Sequence, residues 1–227
     1  MKNKAFTLAE VLMTLVIIGV IASMTIPSLK KVSDEKAYVA GALKAYSELS
    51  SATKSLKRTE GPISMWTSYS SDNAASDVMK KYKTIMPSVG VPSDSYKIQT
   101  LNNESSSLGA GTFSNSNTTI TAADGAIYNL AFVNDCNSLK ATSKACFRMV
   151  VDVNGAKDPN MIGVDVFAFD VMRNGDVNPA EGKCPPDKSS SSGSDDKNDD
   201  SDSAQNEQEA DGWGCTARLI KEKDISW

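Results

Sequence analysis

The chain has 227 residues and not one histidine, so the commonest general base and the commonest zinc ligand are both missing. Its formal charge of −4 is uneven: residues 187–211 carry nine acids and two bases, a net of −7, which leaves +3 for the remainder. That balance argues against a nucleic-acid partner, whose backbone needs clustered lysine and arginine. Four cysteines (Cys136, Cys146, Cys184 and Cys215) form no CxxC pair, which weakens zinc and thioredoxin-like readings.

Taken from the start, the chain opens with Met1 to Ala5, a short basic segment with Lys2 and Lys4. From Phe6 to Ile26 the only charge is Glu10. As a helix at ~1.5 Å per residue this run measures about 31 Å, enough to cross a bilayer core of roughly 30 Å. The acid is anomalous, because a carboxylate inside a membrane helix costs at least ~2.5–3.5 kcal/mol and is normally partnered. Lys2 and Lys4 lie more than one turn back. The partner is therefore expected from processing or from another copy of the chain. A secretory signal peptide shares the basic start, but Ala22-Ser23-Met24 is a poor cleavage site and such a peptide has no use for the acid.

The segment Lys4-Ala5-Phe6-Thr7-Leu8-Ala9-Glu10-Val11 resembles the N-terminal cleavage and methylation motif of type IV prepilins and type II secretion pseudopilins. The resemblance implies that a prepilin peptidase cuts after Ala5 and methylates the new amino group of Phe6. It implies that Glu10 pairs with the N-terminal amine of a neighbouring subunit. The family usually has Gly before the cut, where this chain has the small residue Ala5. A proline near the depth of Pro27 is familiar in pilins. The implied setting is a bacterial inner membrane crossed once, with a periplasmic head, and then a periplasmic or extracellular filament. The implied partners are other copies or related pilins, the peptidase, an inner-membrane assembly platform and, before assembly, the lipid bilayer.

Beyond Pro27, where a helix loses a backbone bond and kinks, Leu29, Val32, Val39, Leu43, Tyr46, Leu49 and Leu56 recur at threes, fours and sevens and give one apolar stripe. The pattern predicts one helix from about Phe6 to Arg58, bent at Pro27, with an apolar first half and an amphipathic second half that packs on a sheet. Glu60-Gly61-Pro62 stops it. A long connector at 62–116 includes a short helix from Asn73 to Lys83 and a Ser, Asn and Gly-rich surface loop from Asn102 to Asn117. Runs at 118–121, 126–133, 147–153 and 164–171 have the length and composition of strands, and Val177 begins a further short one. Asp124-Gly125 marks a hairpin turn.

These elements predict an α+β fold: a long bent N-terminal helix packed on a roughly four-stranded antiparallel sheet, with a disulfide-bounded C-terminal loop. This is also the architecture that the pilin resemblance implies. The expected divisions are a leader at 1–5, a membrane-spanning assembly helix at 6–26, its amphipathic continuation at 27–58, and a globular head at 59–227. The acidic run at 185–211 is too polar to order itself. An even cysteine count behind a membrane-targeting segment suits an oxidising compartment. Three pairings are open; Cys136–Cys146 and Cys184–Cys215 join sequence neighbours, and the second encloses the acidic run.

Asp152, Asn154 and Asp158 are the calcium candidates, in a run (DVNG, then DPN and Asp165) rich in oxygen ligands. Ala156 falls where an EF-hand loop needs an oxygen, and Asp, Asn and Gly are also ordinary turn residues. Asp196, Asn198, Asp200, Asp202 and Glu207 match EF-hand positions too, but Ser201 replaces the turn glycine. No GxSxG and no phosphate-binding glycine loop occurs. Lys54, Lys57, Arg58, Lys80, Lys81 and Lys83 could form a DNA-contacting patch but are read as solvated surface. The expectation is a structural filament subunit, not an enzyme, with no catalytic residue and no cofactor beyond the calcium candidates. Two alternatives remain: an anchored or secreted module that never polymerises, and a DNA-uptake minor pilin.

Overall fold

The computed structural model describes residues 7–67, 73–101, 112–113, 116–137, 140, 144–185, 212–223 and 225. The first helix, α1, spans Leu8–Glu60 and passes through Pro27 without a break. It contributes to two compact units, one ending at Ala37 and the other beginning at Tyr38.

In the first unit Leu8, Leu12, Val16, Ile18, Met24 and Ile26 are all more than half exposed. Apolar side chains bared on every face of a helix need a non-aqueous surrounding, and the helix is long and apolar enough to cross a membrane. Its hydroxyls are returned to its own backbone: Thr14 Oγ1 donates to the Val11 carbonyl (2.9 Å), Ser23 Oγ to Val20 (2.8 Å) and Thr25 Oγ1 to Ile21 (3.1 Å). Such back-bonding removes the cost of placing a hydroxyl in hydrocarbon.

In the second unit α1 buries Ala42, Ala45, Leu49, Ala52, Thr53 and Leu56. These recur at threes and fours, so they form one face. The predicted stripe is thus shifted. Leu49 and Leu56 lie in the core, Val39, Leu43 and Tyr46 pack at its edge, and Leu29 and Val32 are exposed. Alanines draw the contact line because small side chains let the helix approach the sheet closely. The approach is tight at Gly41, where an added Cβ would meet Val153 Cβ at 2.9 Å. Helix α2, Ala74–Lys83, adds Val78, Met79 and Tyr82 to the same core, and the Tyr82 hydroxyl meets Thr53 Oγ1 at 2.7 Å.

The sheet has six antiparallel strands in the order β1-β4-β5-β6-β7-β8: β1 Ser88–Gly90, β4 Thr119–Ala122, β5 Ile127–Phe132, β6 Ala145–Asp152, β7 Val166–Met172 and β8 Val177–Pro179. The four strands expected from the patterns are its centre, β8 is the further short strand expected at Val177, and β1 extends the sheet at the opposite edge. A separate two-stranded ribbon joins β2, Tyr96–Lys97, to β3, Thr112–Phe113. The β6–β7 register pairs Met149 with Phe169, Val150 with Ala168 and Val151 with Phe167.

Successive side chains point to opposite faces, so the sheet buries both. Tyr128, Leu130, Met149, Val151, Phe167 and Phe169 pack with α1 and α2. Ile127, Val150, Val166 and Ala168 pack with Ile98, Phe113, Ile162 and Trp213 in a second cluster. The last of these precedes helix α3, Cys215–Glu222, which composition did not announce. Thr216 Oγ1 of α3 accepts the Ala168 N–H at 3.0 Å. Gly214 enters this helix so close to Gly182 that no Cβ fits, because an ideal one would fall on the Gly182 carbonyl.

Replacing Gly41 with leucine forces a side chain into the Val153 contact. The expected loss is about 1–3 kcal/mol of unfolding free energy, measured by denaturant titration of the detergent-solubilised protein. An unchanged midpoint and slope would show that α1 does not rest on the 152–165 loop at this point.

Candidate assembly site and the loop at residues 152–165

Glu10 is the third residue of α1, and its partner lies in its own chain. Thr7 sits just before the helix. Its backbone N–H donates to Glu10 Oε2 at 2.8 Å and its hydroxyl donates to the same oxygen at 2.9 Å. In return the Glu10 N–H donates to Thr7 Oγ1 at 3.3 Å. This is a capping box: the threonine satisfies an orphan donor of the helix, and the glutamate reaches back to satisfy another. It adds an intrachain partner that the sequence reading, which looked to processing or to another copy, did not include. That reasoning searched for a base, whereas a backbone N–H and a hydroxyl suffice to solvate one carboxylate oxygen. The signal was legible as Thr-x-x-Glu ahead of an apolar run. Only Oε2 is engaged by Thr7. Ala5 and Phe6, the residues expected to flank the cut, lie outside the described residues; Pro27 lies well inside α1.

The second constellation is the loop between β6 and β7. Asp152 ends β6 and Asp165 precedes β7; both are fully buried. Asp152 Oδ2 accepts the Tyr96 hydroxyl at 2.8 Å, and Oδ1 accepts the Asn154 N–H at 3.2 Å. Asp165 Oδ1 accepts the Met161 N–H at 2.7 Å, while its Oδ2 accepts the Asn160 N–H at 2.9 Å and Asn154 Nδ2 at 3.1 Å. Asn154 Nδ2 also lies 3.3 Å from the Tyr38 hydroxyl of α1. The loop therefore links α1, the β2–β3 ribbon and both strand ends. Asp158, the third calcium candidate, is exposed and takes Asn160 Nδ2 on Oδ1 at 3.3 Å. Burial pushes the Asp152 carboxyl up to about 8; the Tyr96 hydroxyl works against that shift and the neighbouring Asp165 charge adds to it. Burial likewise raises Asp165, against the pull of the Met161 and Asn160 N–H groups.

Residues 1–26 match the family model described as the prokaryotic N-terminal methylation motif, the hallmark of type IV pilins and pseudopilins. The chain carries a pilin-type N-terminus. No curated protein and no solved structure gives a match. The match covers the helix start and the Thr7–Glu10 box, and the α+β head is consistent with a pilin-like fold.

The cysteines pair as Cys136–Cys146, with Cα atoms 5.5 Å apart, and Cys184–Cys215, at 4.8 Å. The first closes the β5–β6 connection. The second fixes the start of α3 and brackets the acidic run, which lies outside the described residues from 186 to 211. Of the six bases considered as a patch, Lys57 donates to the Asn174 carbonyl at 2.7 Å, Lys80 pairs with Asp77 at 3.1 Å and Lys81 pairs with Glu60. Half of the patch is thus spent within the head.

Thr7→Val removes the hydroxyl of the box and Thr7→Ser retains it. A lost cap of this kind costs about 1 kcal/mol. Amide exchange in the first turn of α1, measured in micelles, is expected to quicken about fivefold in Thr7→Val and to stay near wild type in Thr7→Ser. Equal protection in all three proteins would remove the hydroxyl from the account.

Proposed function

We propose that this protein is a structural subunit of a type IV pilus-like or type II secretion pseudopilus filament. The reading rests on one coincidence. The methylation-motif match at 1–26 overlays the part of α1 before Pro27, whose large apolar side chains are exposed and whose single acid, Glu10, stands at its start. A helix bared on all sides is suited first to lipid and then to a bundle of identical or related helices. Removal of residues 1–5 by a prepilin peptidase would create an ammonium at Phe6, one residue before Thr7.

In the waiting subunit Thr7 solvates Oε2 of Glu10. On assembly the neighbour's Phe6 ammonium supplies the missing positive charge, which offsets the cost of burying both groups in the bundle. Contacts between a helix start and a different point on the next copy are heterologous, so they propagate as an open filament instead of closing. The partners under this reading are other copies or related pilins, the peptidase and an inner-membrane assembly platform. The head projects from the membrane on the side where disulfides persist. The function asks for no catalytic residue.

Glu10→Ala is expected to leave membrane insertion intact, since alanine lowers the cost of burial. Removing one partner of a buried pair costs ~3–5 kcal/mol, so sheared filament yield is expected to fall by about a hundredfold or more. Wild-type filament yield from this variant would overturn the proposal.

A further inference from the structure

The strand β1 lies at an edge of the six-stranded sheet. On one side β4 pairs with it, and among the described residues no strand flanks the other. An edge presents unpaired N–H and C=O groups, and proteins commonly guard it with charge. Pro87 and Pro92 limit the length of this edge, but between them Ser88-Val89-Gly90-Val91 carries no charge to keep a further strand away. Val89 is 71 % exposed and Val91 is 38 % exposed, so the edge also bares apolar surface.

Beside this edge is an open cleft of about 360 Å³ whose walls include Val89, Val91, Pro92, Thr121 and Ile127. Gly90 also lines it. The β1–β4 register slips between Ser88 and Gly90, and Gly90 takes a φ of +149°, which side chains rarely adopt. A Cβ added there would meet nothing within 4 Å, so the wall is open at this point. Among the described residues the one charged group lining the cleft is Asp94. It is exposed, its Oδ2 accepts the Ser93 hydroxyl at 3.0 Å, and no described lysine or arginine pairs with it. Apolar walls with one unpaired acid suit a side chain that has an apolar stem and a cationic tip, which is the form of lysine.

We infer that β1 accepts an extended segment of a partner protein as an added strand, with a lysine of that segment laid in the cleft and its ammonium on Asp94. Main-chain hydrogen bonds to the open edge supply the affinity, and the cleft with its acid supplies the choice of side chain. The β1 of a second copy does not meet this requirement. Its segment 87–94 reads PSVGVPSD and has no base to offer the cleft. The partner is therefore a different polypeptide, extended where it binds and basic at the residue that enters the cleft. This inference concerns the head alone and stands apart from filament formation.

The test follows the amide resonances of the full-length protein in micelles as the peptide acetyl-Thr-Val-Lys-Val-Thr-amide is added. Shifts are expected at residues 88–94 and at Thr121. Norleucine in place of the lysine is expected to weaken binding about three- to fivefold, the worth of an exposed ion pair, and glutamate about tenfold or more. N-methylation of both valines keeps the side chains but removes strand donors, and is expected to weaken binding about tenfold. Asp94→Asn changes an exposed residue, so Tm is expected to stay within about 1 °C of wild type while the preference for lysine over norleucine disappears. Free n-butylamine, which offers the stem and charge without a strand, is expected to bind at least about tenfold more weakly than the peptide. The assignment is overturned by the absence of shifts, by equal binding of the glutamate or N-methylated peptide, or by an undiminished lysine preference in Asp94→Asn. Butylamine binding as tightly as the peptide, or shifts at 88–94 that follow protein concentration alone, overturns it as well.

Discussion

A carboxylate set at the start of an otherwise apolar helix is the constraint from which the rest of this molecule follows. In hydrocarbon Glu10 has to be met by donors, and Thr7 provides two of them on one oxygen. The same threonine gives the helix a defined beginning. The other hydroxyls between Thr7 and Pro27 bond to carbonyls of their own turns. The stretch is therefore polar only where polarity is internally satisfied. One carboxylate oxygen is left over, and under the proposed function that remainder is what a neighbouring subunit answers. A helix satisfied everywhere else has no reason to stay in any particular neighbourhood except for this charge, which sets the register of assembly.

Much of the architecture was legible in the sequence because it obeys simple periods. The helix to Glu60, the α2 segment and the four central strands all follow from spacing and turn residues. The contact face of α1 was legible in part: Leu49 and Leu56 do lie in the core, but Ala42, Ala45 and Ala52 share the packing with them and are too small to stand out in an apolar stripe. Thr7 was overlooked for a related reason. A charge suggests a countercharge, although a cap meets the same need with neutral donors.

The second face of the sheet was missed for want of reading its strands as fully buried. Phe147 to Val153 and Val164 to Val171 are nearly continuous apolar runs, the mark of a strand covered on both sides. The cover comes from short pieces with little signal of their own: the β2–β3 ribbon, Ile162, and Trp213 leading into α3. Two-residue strands carry no periodicity, and α3 is only eight residues long. The Cys184–Cys215 bridge holds this cover where composition alone would not place it. The 152–165 loop was noticed for its oxygens, but its position was not readable. Asp152 reaches Tyr96 and Asn154 reaches Tyr38, residues separated by 56 and 116 positions, and no local pattern encodes such distances.

The central claim is that the N-terminal helix is a processed assembly element whose first residue is Phe6. Mass and sequence analysis of the N-terminus of the protein isolated from its native cells addresses it most directly. The account predicts a chain that begins at Phe6 and carries one added methyl group on its amine. A chain still beginning at Met1, or one beginning near Thr25, would contradict it.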